Sequence, residues 1–224
     1  MPGMNPMIFD LIVFDWDGTL MDSTSAIVRA IQASCRDLDL PVPDDAQARH
    51  VIGLGLMEAL RYMAPDLPAS DYPRLSDRYR QHYLSRDHTL TLFEGIAALL
   101  ADLRERGFRM AVATGKSRPG LERAMAHSGL GAFFHATRTA DLCHSKPHPQ
   151  MLEELMAELG ATPERTLMIG DTTHDLQMAQ NAGVAALGVS YGAHPEAALQ
   201  ALKPLACLPT VAALSEWLER FRFK

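Results

Sequence analysis

Lysine is nearly missing from this 224-residue chain: it occurs only at Lys116, Lys146, Lys203 and Lys224. The 21 Lys+Arg stand against 27 Asp+Glu, a net charge of −6. Nonspecific nucleic-acid binding rests on clustered positive charge, so nucleic acid is not an expected partner. Cysteine is scarce as well. Cys35, Cys143 and Cys207 lie far apart and form no C-x-x-C pair, so no disulfide framework is expected. A reduced, cytoplasmic location is the simplest expectation. No run approaches the ~18 apolar residues of a membrane span. The first basic residue, Arg29, comes too late for the basic start of a signal peptide. Met1–Pro6 read as a short loose leader. A monomer, or at most a dimer, is expected.

What is present is a globular composition, 47% hydrophobic and 21% charged, sufficient for a sizeable core. The run Ile8–Phe14 is almost continuously apolar and rich in β-branched and aromatic residues. Such a run suits a strand covered on both faces of a parallel sheet. Similar runs occur at Arg109–Ala113, Thr166–Ile169 and Val184–Val189, with a weaker one at Phe134–Thr137. Helical patterns separate them. Glu94–Arg106, Arg118–Ser128, Pro149–Leu159 and Asp175–Ala182 are each followed by a glycine, a helix stop signal. Another amphipathic pattern runs from Val211 to Phe221. The alternation predicts an α/β fold, a doubly wound Rossmann-like parallel sheet. Residues 22–92 break that rhythm. They read as helices at Ser23–Leu38, Ala46–Met63 and Ser70–Ser85, too long a stretch for one crossover. The expected organisation is therefore a core of residues 1–20 and 93–224 with an inserted α-helical cap subdomain at 21–92.

The chemistry concentrates at strand ends, where open parallel sheets bind ligands. Asp15-Trp16-Asp17-Gly18-Thr19-Leu20 follows the first strand. One carboxylate can act there as nucleophile and metal ligand, and the other as acid or base. Gly18 can bring backbone N–H groups close to an anion. Thr114 and Gly115 follow the second strong strand and offer a hydroxyl and an N–H at the mouth of a helix; taken alone, Thr114 reads better as a helix cap. Lys146, one of so few lysines, precedes Pro147-His148-Pro149 and suits a phosphoryl oxygen. Gly170-Asp171-Thr172-Thr173-His174-Asp175 closes a further strand with two more carboxylates. Asp171 adds hard oxygen suited to Mg²⁺. Asp175 either orients the site as a supporting carboxylate or serves the helix dipole.

Taken in order, D-x-D-G-T, a strand-terminal Thr, Lys-Pro and G-D-T-x-x-D resemble the four motifs of the haloacid dehalogenase superfamily, spanning residues 8–175. The chain looks like its phosphoglycolate phosphatase-like members with a helical cap after the first motif. That resemblance implies a Mg²⁺-dependent phosphatase for small phosphomonoesters such as phosphoglycolate-like compounds or sugar phosphates. It implies that Asp15 attacks phosphorus to form an aspartyl-phosphate, and that Asp17 protonates the leaving oxygen and later activates water. Thr114 and Lys146 would hold the phosphoryl group. Mg²⁺ would sit on an Asp15 oxygen, the Asp17 carbonyl and Asp171. Asp17 argues against dehalogenation, because superfamily dehalogenases lack an acid there. The absence of lysine before position 116 argues against the Schiff-base chemistry of the phosphonate-cleaving members. A phosphomutase, or a catalytically idle binding or regulatory protein, remains as an alternative.

In the cap, the loop Arg49–Gly55 is the candidate specificity element. Arg49 could bind an anionic group, or face solvent. Leu20–Ser23 and Leu92–Gly95 would be the hinge segments. Trp16 is expected to pack beside the site. The His144/His148 pair flanks Lys146 without helical alignment and is not expected to bind metal. His174 is expected at the surface. Arg118 fits solvent as well as substrate, and the twelve methionines read as core filler.

Overall fold

The structure, a computed structural model, describes residues 9–220. The expected leader at Met1–Pro6, the strand start at Ile8 and the helix end at Phe221 lie outside the described residues.

Six parallel strands form one sheet: β1 (Leu11–Phe14), β2 (Arg109–Thr114), β3 (Ala136–Thr139), β4 (Thr166–Gly170), β5 (Ala185–Val189) and β6 (Cys207–Leu208). Their order is β3-β2-β1-β4-β5-β6. The chain winds outward from β1 in one direction, then returns to continue from β4 in the other. The ends of β1 and β4 therefore flank the point where ligands bind in such sheets.

Alternation along the strands builds two cores. Ile12, Phe14, Met110, Val112, Leu167 and Ile169 face one side. There they meet α5 (Ile96–Glu105), α6 (Arg118–Ser128) and α10 (Val211–Leu218). Leu11, Val13, Ala111, Ala113 and Met168 face the other side. They pack on α7 (Gln150–Leu159), α8 (Thr173–Asn181) and α9 (Glu196–Ala201). Met110, Met151, Met168 and Met178 are fully buried, the packing role expected of methionine here.

Between β1 and β2 lie the cap helices α1 (Thr24–Arg36), α2 (Asp45–His50), α3 (Leu56–Met63) and α4 (Tyr72–Leu84). The single helix expected over Ala46–Met63 is two helices. A capping box between Asp44 and Gln47 starts α2, and Gly53, at φ +94°, turns the chain out of it before α3 begins. Ile27, Ile31, Val51, Ile52 and Ala59 form a cap core, which Ala193 of the catalytic core joins. The two connections to the cap run side by side. Asp22 N–H donates to Thr91 O at 2.9 Å, and Phe93 N–H donates to Leu20 O at 3.1 Å. Helix α9 and the two-residue β6 carry no readable periodicity at their length, and the sequence pattern gave no sign of them.

Candidate active site

The Asp15 N–H donates to Ile169 O at 2.9 Å, so sheet pairing itself sets the first carboxylate beside the end of β4. Asp15, Asp171 and Asp175 each bring one oxygen within 4.8 Å of the others, and all three are buried. Lys146 stands among them at 2% exposure. Its Nζ donates to Asp15 Oδ1 and Asp175 Oδ1, at 2.6 Å each. Burial disfavours this ammonium, but the Asp15 and Asp175 charges outweigh it and raise Lys146 above its usual range. Burial pushes Asp15 well above the usual carboxylate range, against the pull of Lys146. Burial, then the charge of Asp175, raises Asp171 to about 7.

Asp171 is cradled tightly. Thr19 Oγ1 donates to its Oδ1 at 2.8 Å, and the Ala193 N–H donates to its Oδ2 at 2.7 Å. Gly18, at φ +83°, passes directly beside it; a Cβ there would fall 2.1 Å from Asp171 Oδ2. Gly18 is thus needed for the approach of a carboxylate, a requirement distinct from the anion contact expected of it. Asp175 caps its own helix. Its Oδ2 accepts from Thr172 N–H at 3.1 Å and Thr172 Oγ1 at 2.7 Å, while Oδ1 meets Lys146. One side chain thus bonds both the first turn of its own helix and Lys146.

Asp15 Oδ2 is buried and has no hydrogen-bond partner. A buried orphan oxygen within a cluster of carboxylates fits a hard divalent cation such as Mg²⁺. Asp15 and Asp171 would hold it, with Asp175 close by. The Asp17 carboxylate stands outside this cluster. Its Oδ1 accepts from Ser23 Oγ at 2.6 Å and pairs with Lys116 Nζ at 3.1 Å. Lys116 also donates to the hydroxyl of Tyr83, on cap helix α4, at 2.8 Å. Thr114 Oγ1 accepts the Lys116 N–H at 3.2 Å, which leaves the hydroxyl proton free to donate.

The cap is docked on the core. Gly55 N–H donates to Ser145 Oγ at 2.7 Å. Rings of His174 and His194 donate to His50 O at 2.7 and 3.2 Å. His174 is therefore held beneath the cap loop instead of lying free at the surface; burial lowers its pKa, and that of His194 to about 4. The carbonyls of Gly53 and Leu54 press on Gly115, where a Cβ would come within 2.3 Å of Leu54 O. A cavity of about 650 Å³ opens between cap and core, with Asp15, Asp17, Gly115 and Lys116 in its wall. Gly53, Leu54 and Gly55 line it, but Arg49 does not. The loop brings its glycine backbone to the site, and Arg49 stays on α2 behind it. Arg118 turns to β3, donating to Thr137 Oγ1 at 2.5 Å. Trp16 is fully buried, edge-on to Phe134.

Ser23, Tyr83 and Ser145 escaped the sequence reading, as single polar residues within cap or loop patterns. Lys116 had one available signal, the rarity of lysine.

The profile of the haloacid dehalogenase-like hydrolase family matches residues 12–189. A protein of Dickeya dadantii (strain 3937) named "Probable phosphatase IndB" is 39% identical over 207 residues, 89% of each chain. "Tyrosine-protein kinase PtkA" of Mycobacterium tuberculosis (strain ATCC 25618 / H37Rv) is 35% identical over 193 residues, 85% of this chain and 64% of that protein. The crystal structure of a hydrolase from Pseudomonas syringae superposes with a TM-score of 0.86 at 22% identity, over 96% of this chain and 98% of that one, a likeness of fold.

Proposed function

The chain belongs to the haloacid dehalogenase-like hydrolase family, and on that premise we propose that it is a Mg²⁺-dependent phosphatase acting on small-molecule phosphomonoesters through an aspartyl-phosphate. The observation that carries the reading is the unpartnered, buried Asp15 Oδ2, on a residue that lines the cavity between cap and core. The named phosphatase relative supports the reaction class.

In this reading a carboxylate oxygen of Asp15 attacks phosphorus, and the bond to the ester oxygen breaks. Asp17, next to Asp15 in the cavity wall, gives the leaving oxygen its proton. Water then attacks the phosphorus of the aspartyl-phosphate. Asp17 takes that water's proton, and the bond between Asp15 and phosphorus breaks to release phosphate. Lys146 holds Asp15 through Oδ1, so the attacking oxygen points from a fixed carboxylate. Its charge also offsets the anionic phosphoryl group, together with the hydroxyl proton of Thr114. A bound Mg²⁺ supplies further charge neutralisation. Gly115 and the docked cap loop limit entry of bulk water.

The test is phosphate release from an activated aryl phosphate with Mg²⁺ or chelator, for wild type and Asp15→Asn. Release that vanishes with either change supports the reading. Release that survives Asp15→Asn would sink it.

A further inference from the structure

We infer that the substrate is the phosphomonoester of a nucleoside-sized alcohol that carries a flat heterocycle, rather than a two-carbon acid or a hexose phosphate. The inference rests on the phosphatase reading above and concerns what fills the same site.

Three observations carry it. The first is size. The cavity holds about 650 Å³ with the cap already docked through His50, Gly55 and the Gly53–Leu54 carbonyls. At ~30 Å³ per water, that is room for about twenty water-sized atoms. Phosphoglycolate has about nine non-hydrogen atoms, and ligand sites bury roughly 70–90% of their ligand. So small a molecule would leave most of this partly open space to water and touch few of the side chains that line it. A nucleoside monophosphate, with about twenty non-hydrogen atoms, matches the space.

The second is the wall. Ile27, Val51, Leu54, Met57 and Leu84 contribute aliphatic surface, and Tyr79 and Tyr83 contribute phenol rings stacked 5.9 Å apart. A hexose phosphate presents hydroxyls all round with no flat ring face, and burying them against this surface leaves them unpaired. A rigid ring covers the same surface with few rotors to freeze.

The third is the rim. Glu58, Arg80, Arg123 and Asp141 line the cavity and are exposed. Two charges of each sign suit the edge of a neutral heterocycle, which carries both donors and acceptors. Of the cations that line the cavity, Arg80 and Arg123 are exposed at the rim, and Lys116 is already engaged by Asp17 and Tyr83.

The test compares kcat/KM for uridine 5′-monophosphate, phosphoglycolate and glucose 6-phosphate with Mg²⁺, with p-nitrophenyl phosphate as a measure of phosphatase chemistry alone. The nucleotide should exceed both others by about tenfold or more. Equal or better turnover of phosphoglycolate or glucose 6-phosphate overturns the inference, while hydrolysis of the aryl ester keeps the phosphatase reading standing. Calorimetry with Asp15→Asn reads binding without turnover. There the nucleotide should bind about tenfold more tightly than phosphoglycolate, and the reverse order overturns the inference even for an inactive protein. Met57→Trp fills part of the cavity. It should lower the ratio of nucleotide to phosphoglycolate kcat/KM about fivefold or more; an unchanged ratio counts against the inference.

Discussion

Lys116 and Tyr83 tie the catalytic core to the cap: the ammonium donates to the phenol oxygen at 2.8 Å and lies 4.7 Å from the ring centroid. Asp17 and the Tyr83 phenol oppose the burial of this ammonium and raise its pKa above the usual range. The same Nζ lies 3.1 Å from Asp17, so one lysine touches both the proposed acid/base and the docked cap.

Lys116→Met should therefore act selectively. An alkyl phosphate needs its leaving oxygen protonated, whereas an activated aryl phosphate does not. The variant should lower kcat/KM for the alkyl ester about tenfold more than for the aryl ester, a fraction of what general acid catalysis supplies. Tyr83→Phe, which keeps the ring and loses one hydrogen bond, should show a smaller effect in the same direction. Equal losses on both esters would mean that Lys116 does not orient Asp17.

Lys146→Met removes the cation from among three buried carboxylates. Breaking a buried ion pair from one side costs about 3–5 kcal/mol. Urea unfolding in chelator should show a loss of that order, smaller with Mg²⁺ present. Phosphatase activity should fall at least about a hundredfold, as for other lost charge stabilisers. A variant as stable as wild type in chelator would contradict the ion-pair geometry.

The pH dependence of the metal-free protein has a definite sign. Asp171 titrates near 7 in the folded chain against 3.8 ordinarily, because burial and Asp175 disfavour its charge. Its folded pKa is raised, so its contribution to stability is complete below the unfolded pKa and is lost as pH rises through about 7. In chelator, stability should decline between about pH 4 and 7 and level off above, by about 1–3 kcal/mol, allowing for the coupling of the carboxylates. In the proposed reading Mg²⁺ binds the ionised cluster, so the gain from added Mg²⁺ should grow over the same interval. Chemical unfolding at several pH values reads both effects, and a flat difference between Mg²⁺ and chelator would contradict them.

Gly18→Ala tests the cradle of Asp171. The new methyl would meet Asp171 Oδ2 and must also adopt φ +83°. Backbone strain of this kind costs about 1–3 kcal/mol. Displacing the carboxylate proposed to hold the metal should raise the Mg²⁺ concentration for half-maximal activity about tenfold or more. A variant that loses stability but keeps its Mg²⁺ dependence would show that Asp171 does not hold the metal.

The sheet was legible because its signal is local. Leu11–Phe14, Arg109–Thr114, Thr166–Gly170 and Ala185–Val189 are buried apolar runs, and the residue after such a run lands at a strand end wherever the chain then goes. Asp15, Thr114 and Asp171 could thus be placed from sequence alone, and Lys146 through its scarcity and its place before Pro147. Arg49 shows the limit of the method. A basic residue beside a glycine-rich loop suggested anion binding, yet only packing of the loop on Gly115 decides which atoms reach the cavity.

By itself, then, the sequence determined the order of the five longer strands and of the helices between them, the helical insertion after β1 and the identity of the strand-end groups, since each follows from short-range periodicity and spacing. Tertiary structure alone decided that Lys146 bridges Asp15 and Asp175, that Thr19 and Ala193 cradle Asp171, and that Lys116 joins Asp17 to Tyr83. It also decided the size and apolar character of the cavity. These are contacts between distant segments, set by how the docked cap and the twisted sheet bring their surfaces together, and no local pattern in the chain encodes which polar group will meet which.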